Sequence, residues 1–427
     1  MAPRSAPSLR PLLPVLAFLL QTVFIGLFAF FIEIRWTEET SQVNTYAVFQ
    51  DVHVVVFLGF GFLTTFLVRY GFSGSGFSLL VAAMAVQWAT LLNGFLLSTW
   101  NSRKKIAVDL DSLVDAELCA ASSLIAMGAV LGKVNPVQYM LMALLEVTSF
   151  VVSQWLLQTL IRIQVMNTIM YLHIFGAFFG IMTSWVLYRK GTEQQHEKEK
   201  SDHKTGLFSM LGTLFLWMFW PSCNLVLLSS KWWTLKNARR REIESNLSAV
   251  YGTYLALAAS SITAFGMSVL TSPRGKINLV HMQSSILAGG VAFGGAMTAV
   301  HVPWIAMTLG SLAAVLSAVG FRYLKPHMQL AFECHDTCGV LNAHGMPGIL
   351  GWFACLLLQL IDTEDNIIAI RLACYHISIL FIMLAMSLVL GAITGFILKW
   401  NFWRAPQNRK CFDDQAFWEF PHLATRK

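Results

Sequence analysis

Long apolar runs separated by short polar loops make up the chain from its first residues to about residue 400. Each run is about 20 residues long, which lets a helix cross the roughly 30 Å hydrocarbon core of a bilayer. Twelve spans are predicted, at approximately 12–32, 51–69, 76–98, 113–132, 136–160, 166–188, 206–228, 247–269, 278–299, 302–323, 336–360 and 373–400. The pattern predicts an all-α membrane protein, with a twelve-span membrane domain over 1–400 and a tail over 401–427.

The charges in the loops predict how the chain is oriented. An even number of spans puts both termini on one side, and the positive-inside rule places the basic loop 188–204 and the basic tail in the cytoplasm. The acidic segments "EIRWTEET" and "DTEDN" then lie outside. The basic loop 231–245 disagrees, and we treat it as an exception. The first run lacks a small-residue cleavage site, so we expect an uncleaved span.

Composition narrows the class of protein. Hydrophobic residues make up 56% and charged residues 12% of the 427 residues, so the net charge of +7 reflects loop residues and does not indicate nucleic acid binding. The seven cysteines form no disulfide or metal-binding pattern, and Cys334 and Cys338 lack further ligands at metal spacing. No nucleotide fingerprint or nucleophile motif is present. We therefore expect no enzyme activity and no cofactor.

Two histidines lie within apolar spans, each followed by glycines at helical spacing. His173 belongs to "MYLHIFGAFFG" and His344 to "LNAHGMPGILG". A polar ring at that depth faces the protein interior or a water-containing cavity. The sixth and eleventh spans run in opposite directions, so an inverted repeat would bring the two rings together near the midplane. The alternative is two unrelated core histidines, each bonded to a backbone carbonyl.

Other polar residues in or near the spans have two interpretations each. Asp336 precedes His344 by about 12 Å along a helix, so it either caps the helix or lies at a pore mouth. Glu117 and Glu146 are functional candidates by position, although structural pairing is the simpler interpretation. Asn246 begins a glycosylation sequon in form only. The remaining span histidines are predicted to make interhelical hydrogen bonds: His53, His281, His301 and His376.

Several motifs together resemble the Rhesus branch of the ammonium transporter (Amt/Mep/Rh) family: "DVHVVVFLGFGFLTTFL", "GAVLGK", "HIFGAFFG", "GTLFLWMFWPS", "LAGGVAFG" and "DTCGVLNAHGMPGILG". The opening segment and the tail "CFDDQAFWEFPHLA" are most similar to the Rhesus blood-group polypeptides. The resemblance implies a five-plus-five inverted repeat with an extra N-terminal helix. It also implies a homotrimer, or a heterotrimer with a glycosylated Rhesus protein, in the plasma membrane.

The resemblance also implies a narrow hydrophobic pore in each subunit. In that family, ammonium loses its proton in a vestibule and ammonia passes along paired histidines, which match His173 and His344 here. Asp336 matches the second-half aspartate of the family. Three positions depart from the pattern of conducting members: Val165 replaces the first-half aspartate, and Met127 and Cys223 replace the gate phenylalanines. Without those groups, the recruitment of a cation at the mouth is weakened.

Two functions remain open from the sequence. The first is passive transport of ammonia or ammonium through a twin-histidine pore, with carbon dioxide as a further candidate substrate. The second is a non-conducting structural subunit of an erythrocyte-type Rhesus complex that links the membrane to the cytoskeleton. In the second, the aromatic and acidic tail either docks a cytoskeletal adaptor or packs under its own bundle.

Overall fold

The protein is described by a computed structural model over residues 9–34, 39–97, 105–160, 168–189, 198–228 and 239–419. Its helices are α1 (Leu9–Phe31), α2 (Glu39–Val54), α3 (Phe60–Leu63), α4 (Gly71–Leu96), α5 (Leu110–Val130), α6 (Pro136–Leu160), α7 (Thr168–Val186), α8 (His203–Leu228), α9 (Arg239–Thr271), α10 (Leu279–Ala296), α11 (Pro303–Val319), α12 (Lys325–Ala331), α13 (Met346–Ile361) and α14 (Asn366–Leu398). Two short strands, β1 (Ile32–Ile34) and β2 (Ile106–Val108), pair in parallel.

Three π-helical turns interrupt or extend these helices. Val55–Gly59 joins α2 to α3, Gly320–Leu324 joins α11 to α12, and Leu341–Gly345 precedes α13. Each joined pair forms one interrupted helix. The described residues therefore form twelve long helices, continuous or interrupted, where the sequence predicts twelve spans, and the all-α prediction is confirmed. Ten of them are long and apolar enough to span a bilayer; the other two are α7, whose apolar part is shorter, and the 18-residue α10.

The predicted boundaries differ most from the structure at three places. The second span was expected over 51–69, but α2 begins at Glu39 and α3 ends at Leu63. The other two differences lie in the C-terminal half. The tenth span was expected to end at about 323, but the π-helical turn carries the helix on to Ala331. The eleventh span was expected to begin at 336, but its helical turns start at Leu341. The intervening residues bind their backbone groups to the Asp336 carboxylate and to α5 instead of forming a helix. Residues 231–238 of the basic loop 231–245 lie outside the described residues. Asn246 lies within α9.

Successive crossings reverse direction, so α7 (the sixth) and α13 (the eleventh) run in opposite directions, as an inverted repeat requires. α1 precedes the first set of five crossings. α14 follows the second set and packs on α6 and α7. We call the end of the bundle that carries the residues after α14 the tail side, and the end that carries β1 and β2 the far side.

The described part of the tail packs under its own bundle. Its Asp414 carboxylate accepts the backbone N–H groups of Phe72 and Ser73 at 3.0 and 2.7 Å, at the start of α4. Phe412 is fully buried and donates its N–H to the Gly132 carbonyl at 2.9 Å. Trp418 donates its indole N–H to the Ser73 hydroxyl at 2.9 Å. The aromatic residues expected to dock a partner are therefore already in contact with the bundle.

We expect Asp414→Ala to release the tail, because it removes the side-chain acceptor of two helix-terminal N–H groups. The loss of such a cap costs about 1 kcal/mol. Limited proteolysis of the purified protein in detergent should cleave the variant after residue 405 several-fold faster than the wild type. Gln415→Ala is the matched control, because Gln415 is exposed in the same segment. Equal cleavage rates for all three proteins would contradict the packed tail.

Candidate functional site

The two span histidines meet inside the bundle. His173 on α7 and His344 in the π-helical turn before α13 are 4% and 5% exposed. Their Nδ1 atoms lie 3.2 Å apart, and their nearly parallel rings have centroids separated by 5.2 Å. The hydrogen bond joins residues 171 positions apart in the sequence. The pairing that the sequence left as one of two alternatives is therefore the geometry of the folded chain.

Local backbone features bring the rings together. The π-helical turn Leu341–Gly345 adds a residue to one turn of helix, a distortion that is common at functional sites. Glycines allow the helices around it to approach closely. A Cβ atom at Gly351 would lie 2.2 Å from the Ala292 carbonyl oxygen of α10, and one at Gly176 would lie 2.6 Å from the Ser122 carbonyl oxygen of α5. The glycine pattern in the sequence thus reflects close helix packing around the histidine pair.

The contact between the two Nδ1 atoms fixes how the pair can bond to a small molecule. One Nδ1 must carry a proton and donate it, while the other accepts with its lone pair. In two neutral rings the donor then has an unprotonated Nε2, and the acceptor has a protonated Nε2. The pair therefore presents one acceptor and one donor beyond its own hydrogen bond. A molecule that can both donate and accept, such as ammonia or water, matches that pattern.

A cavity lies on each side of the pair. The tail-side cavity, of about 40 Å³, is lined by His344 and by residues of α3, α5 and α10. The far-side cavity, of about 30 Å³, is lined by His173 and by residues of α2, α5 and α8. A single water needs about 10–15 Å³ by this measure, so each cavity holds two to four small molecules. Both cavities are lined mainly by apolar side chains.

Aromatic rings enclose the histidines. Trp220 of α8 stacks on His173 with centroids 5.7 Å apart, and Phe60 of α3 stacks on His344 at 6.2 Å. Phe60 is 4% exposed and lines both cavities, so it separates them. Phe60 follows the π-helical turn Val55–Gly59 directly. The π-helical turn Val55–Gly59 thus positions the Phe60 ring where the two cavities meet, and the π-helical turn Leu341–Gly345 positions the His344 ring there.

The far-side cavity contains polar atoms that lack partners. Asn224 donates its amide N–H to the Thr253 hydroxyl at 2.9 Å, and that hydroxyl donates to the Ala249 carbonyl. Because the Thr253 hydroxyl donates its proton to Ala249, it can only accept from Asn224, which fixes the orientation of the Asn224 amide. The Oδ1 atom of Asn224 then has no partner in the described part of the chain. The indole N–H of Trp220 is also unpartnered there. A small polar molecule in this cavity could satisfy such groups.

The structure separates two residues that the sequence placed together. Cys223 lines the far-side cavity, as expected for a mouth position. Met127 lies near the tail-side end of α5, where its sulfur is 4.0 Å from the Ser78 hydroxyl. Its neighbour Gly128 lines the tail-side cavity. Leu118, nine residues earlier on α5, is the residue that lines the far-side cavity together with Cys223. The prediction that Met127 and Cys223 lie at the same mouth was wrong. Met127 lies more than two helical turns beyond Leu118 along α5, and Leu118 is the residue beside Cys223.

Asp336 makes the contacts of a helix cap. Its two carboxylate oxygens accept the N–H groups of Gly339 and Leu341 at 2.8 and 3.1 Å. The side chain is 5% exposed and does not line either of the two cavities. Asp336 therefore orients the turn that carries His344. Val165 occupies the position of the first-half aspartate in the Rhesus resemblance. It lies outside the described residues.

Within the described segments, the cysteines and acids have no arrangement suited to a metal. No group of three potential ligands occurs in the residues that the structure describes. Cys334 directs its thiol at the Ile181 carbonyl, and burial raises the pKa of that thiol to about 11. Cys338 lines the tail-side cavity without a ligand partner. A protonated thiol binds metal ions poorly.

A lysine joins the tail-side ends of two helices, α5 and α7, to the segment before Asp336. Lys133 donates to the Ala129 carbonyl and the Ser184 hydroxyl, both at 2.7 Å, and to the His335 carbonyl. Burial lowers the pKa of Lys133 to about 8, although nearby acidic groups oppose this shift. The ammonium group completes its three donor bonds with these acceptors. Lys133 thus fixes the segment before Asp336, and so the position of the turn that carries His344.

The imidazole of His335 lies 3.2 Å from the Glu199 carboxylate. Burial, together with Lys133, lowers the pKa of His335 below its ordinary value. Burial alone would raise the pKa of Glu199, but the bond to His335 and the charges of Lys133 and Lys325 bring it below its ordinary value. Both groups therefore bind protons more readily in the unfolded chain than in the folded one.

Stability is expected to fall on acidification, from about pH 6.5 downward through His335 and from about pH 4.5 downward through Glu199. Each group contributes at most about 1.4 kcal/mol per pH unit. The thermal midpoint in detergent, measured from pH 7.5 to pH 5.5, should fall less steeply in His335→Gln than in the wild type. His203→Gln, at an exposed position, is the control. Parallel curves for the wild type and His335→Gln would contradict this assignment.

Several interhelical predictions are confirmed. His53 on α2 lies 2.5 Å from the Glu117 carboxylate on α5, and His376 on α14 lies 2.8 Å from the Gln359 side chain on α13. Glu146 accepts the hydroxyl proton of Ser122 at 2.5 Å. Four cavity residues were not predicted from the sequence: Phe60, Trp220, Asn224 and Leu118. Aromatic, amide and leucine residues in apolar spans carry no signal that distinguishes a cavity from ordinary helix packing.

Comparisons with known proteins agree with this architecture. The sequence model of the Ammonium Transporter Family matches residues 14–408. The chain is 38% identical to ammonium transporter Rh type A of Bos taurus, over 96% of this chain and 95% of that protein. It is 38% identical to ammonium transporter Rh type B of Mus musculus, over 96% and 94%.

Solved structures show the same fold. Nitrosomonas europaea Rh50, described as one of the Rhesus protein family of channels, superposes with a TM-score of 0.76 at 28% identity, over 91% of this chain and 96% of that chain. Candida albicans Mep2, at 15% identity and a TM-score of 0.65, covers 87% of this chain and 88% of its own; it supports the fold alone. The match to the family over nearly the whole sequence shows that this chain is a multi-pass membrane protein of the Ammonium Transporter Family.

Proposed function

We propose that the chain is a passive channel for ammonia, with His173 and His344 lining its pore. The observation that carries this proposal is the hydrogen-bonded pair at 3.2 Å, with a cavity on each side of it. A structural subunit has no need for two buried imidazoles that each border a cavity. Membership of an ammonium transporter family supports ammonium as the transported species, and the small apolar cavities favour its uncharged form.

The far-side mouth is changed in a way that reduces recruitment of a cation. Leu118 and Cys223 line this cavity and carry no aromatic ring that could attract ammonium. We infer slower uptake at low ammonium concentration, with a preserved path along the histidines. By the positive-inside rule the tail side is cytoplasmic, and the plasma membrane and a homotrimeric or mixed Rhesus assembly are part of the same proposal.

The test is ammonia-driven pH change in proteoliposomes that contain the full chain. Vesicles loaded with a pH dye are mixed with ammonium chloride, and the rate of alkalinisation is compared with that of empty vesicles of the same lipid. We expect a rate several-fold above empty vesicles. A rate equal to that of empty vesicles would overturn the proposed function. The same vesicles exposed to carbon dioxide test the second candidate substrate.

The second candidate, a structural subunit that binds a cytoskeletal adaptor, is supported by the altered mouth residues alone. Docking through the tail would have to compete with its contacts to the bundle, since Phe412 and Asp414 are buried. Binding of adaptors to the full chain and to Asp414→Ala would separate the alternatives. If Asp414→Ala binds the adaptor and the unmodified chain does not, the packed tail masks a docking segment. If neither protein binds, the tail is excluded as the docking segment.

A further inference from the structure

A group of basic side chains lies at the tail-side end of α10 and α11, around the ring of Phe321. The Nζ atom of Lys325 is 5.7 Å from the centre of that ring, and the His281 ring stacks on it with centroids 5.0 Å apart. Arg322 and Lys325 both lie within electrostatic range of His281. The Arg322 guanidinium carbon is 5.8 Å from the ring centre of Tyr323, and in the described residues no carboxylate binds it. Positive charge therefore converges here without an acidic partner for Arg322.

The loop between α9 and α10 adds two basic residues at the same end of the bundle. α10 and α11 run antiparallel, and His281 near the start of α10 contacts Phe321 just after the end of α11. About one further helical turn along each segment brings Lys276 close to the level of Lys325. Arg274 belongs to the same loop, and both loop side chains are exposed. Basic residues from two separate segments therefore share one face.

Arg322 lies at the depth of the lipid headgroups. Pro303 begins α11 at the far side, and the helix rises about 29 Å from there to Arg322, close to the thickness of the hydrocarbon core. Exposed aromatic side chains, which are typical of membrane interfaces, lie at the same end: Tyr323 is 64% and Phe332 is 57% exposed. Trp185 is 47% exposed and donates its indole N–H to the Phe332 carbonyl. The basic face therefore meets the headgroups of the tail-side leaflet.

The π-helical turn Gly320–Leu324, which carries Arg322, also packs on the interior of the bundle. Phe321 is 2% exposed, and a Cβ atom built at Gly339 would lie 2.2 Å from its ring. The π-helical turn with His344 begins two residues after Gly339. A ligand that holds Arg322 on the outside therefore restrains a turn that is in direct contact with the core. Such a ligand is expected to stabilise the folded chain.

We propose that this basic face binds the headgroup of a phosphoinositide, a phospholipid with phosphomonoester groups, from the tail-side leaflet. Arg322 is the main anchor, because a guanidinium can form two parallel hydrogen bonds with one phosphate. Lys325 contributes less, since Glu199 lies within its electrostatic range. Lys276 and Arg274 reach further phosphates from the loop. Several cationic groups match a headgroup with several phosphates better than one with a single phosphate, and basic clusters beside a membrane-spanning helix are typical of such sites.

The test is the thermal midpoint of the delipidated full chain in detergent as dioctanoyl phosphatidylinositol bisphosphate is added. A ligand that binds only the folded protein raises the midpoint, and we expect a rise of about 2–4 °C at saturation. Arg322→Gln should raise the lipid concentration needed for half of that rise about tenfold, because a hydrogen bond between charged groups is lost. Lys276→Gln should raise it less. Arg371→Gln, at an exposed position near the far-side start of α14, is the matched control and should leave it unchanged.

Two other ligands decide between the possible sources of phosphate. Dioctanoyl phosphatidylserine at the same total charge should raise the midpoint less than half as much, and an equal rise would reduce the effect to general surface charge. Inositol trisphosphate, a headgroup without lipid chains, should have little effect, and a full rise would assign the site to a soluble phosphate. Either result would overturn the proposal, as would equal half-saturation concentrations for the wild type and Arg322→Gln. None of these measurements requires transport, so the outcome is independent of the proposed function.

Discussion

Gly351→Ala is expected to destabilise the fold sharply, although it adds only a methyl group. The new Cβ atom would lie 2.2 Å from the Ala292 carbonyl oxygen and 3.0 Å from the carbonyl carbon. These are backbone atoms of α10, so they cannot move aside as a flexible side chain would. α13 must shift away from α10, and overpacking of this kind costs typically about 1–3 kcal/mol. The shift would also move His344, which lies two helical turns earlier.

The measurement is the thermal midpoint in detergent, read together with the yield of folded protein. Gly266→Ala is the matched control: Gly266 lies within α9, and nothing is within 4 Å of a Cβ atom built there. Alanine favours a helix over glycine by roughly 0.5–1 kcal/mol, so this control should be neutral or stabilising. Equal midpoints for the two variants would contradict the close packing of α10 on α13.

Lys133→Met is expected to have the largest effect on folding of any single change outside the spans. The ammonium group is buried and donates to the Ala129 carbonyl, the Ser184 hydroxyl and the His335 carbonyl. Methionine fills a similar volume but removes one donor from each of these acceptors; the His335 carbonyl keeps the Ser184 hydroxyl and the Ala129 carbonyl keeps the Thr337 N–H. The loss of a donor to buried acceptors costs about 1–3 kcal/mol. Because the His335 segment leads into the turn with His344, the pore would lose its alignment as well.

Protein yield after membrane extraction and the thermal midpoint measure this effect. Lys204→Met is the control, since Lys204 is exposed at the tail-side start of α8. Lys133→Arg keeps the charge but not the compact geometry of three donors, so it should recover part of the loss. A Lys133→Met protein as stable as Lys204→Met would show that the buried bonds contribute nothing to the fold.

The architecture could be predicted because a bilayer allows few solutions. Apolar runs of about 20 residues must be helices there, since every backbone group has to be satisfied internally. This fixed twelve crossings and the opposite directions of α7 and α13. The histidine pair was one of two alternatives that this topology left open. The ends of the helices were less predictable, because the π-helical turn at Gly320–Leu324 and the Asp336 cap depend on tertiary contacts.

The walls of the cavities were not predictable from the residues alone. Phe60 separates the cavities because a π-helical turn changes its direction, and a sequence of valine, leucine and phenylalanine gives no sign of that turn. Met127 was placed at the mouth by resemblance, but helix geometry puts it beyond Ile125 toward the tail side, and Leu118 takes its place. The bond from His53 to Glu117 joins two helices whose register is fixed only on packing.

The account depends most on the claim that ammonia passes along the hydrogen-bonded histidines. The direct test is alkalinisation of proteoliposomes by ammonium chloride with wild type, His173→Ala, His344→Ala and the double variant, reconstituted to equal protein content. Each lost hydrogen bond of roughly 1–1.5 kcal/mol slows passage about tenfold. We predict that the double variant falls close to the rate of empty vesicles. A double variant that conducts as fast as the wild type would contradict the account.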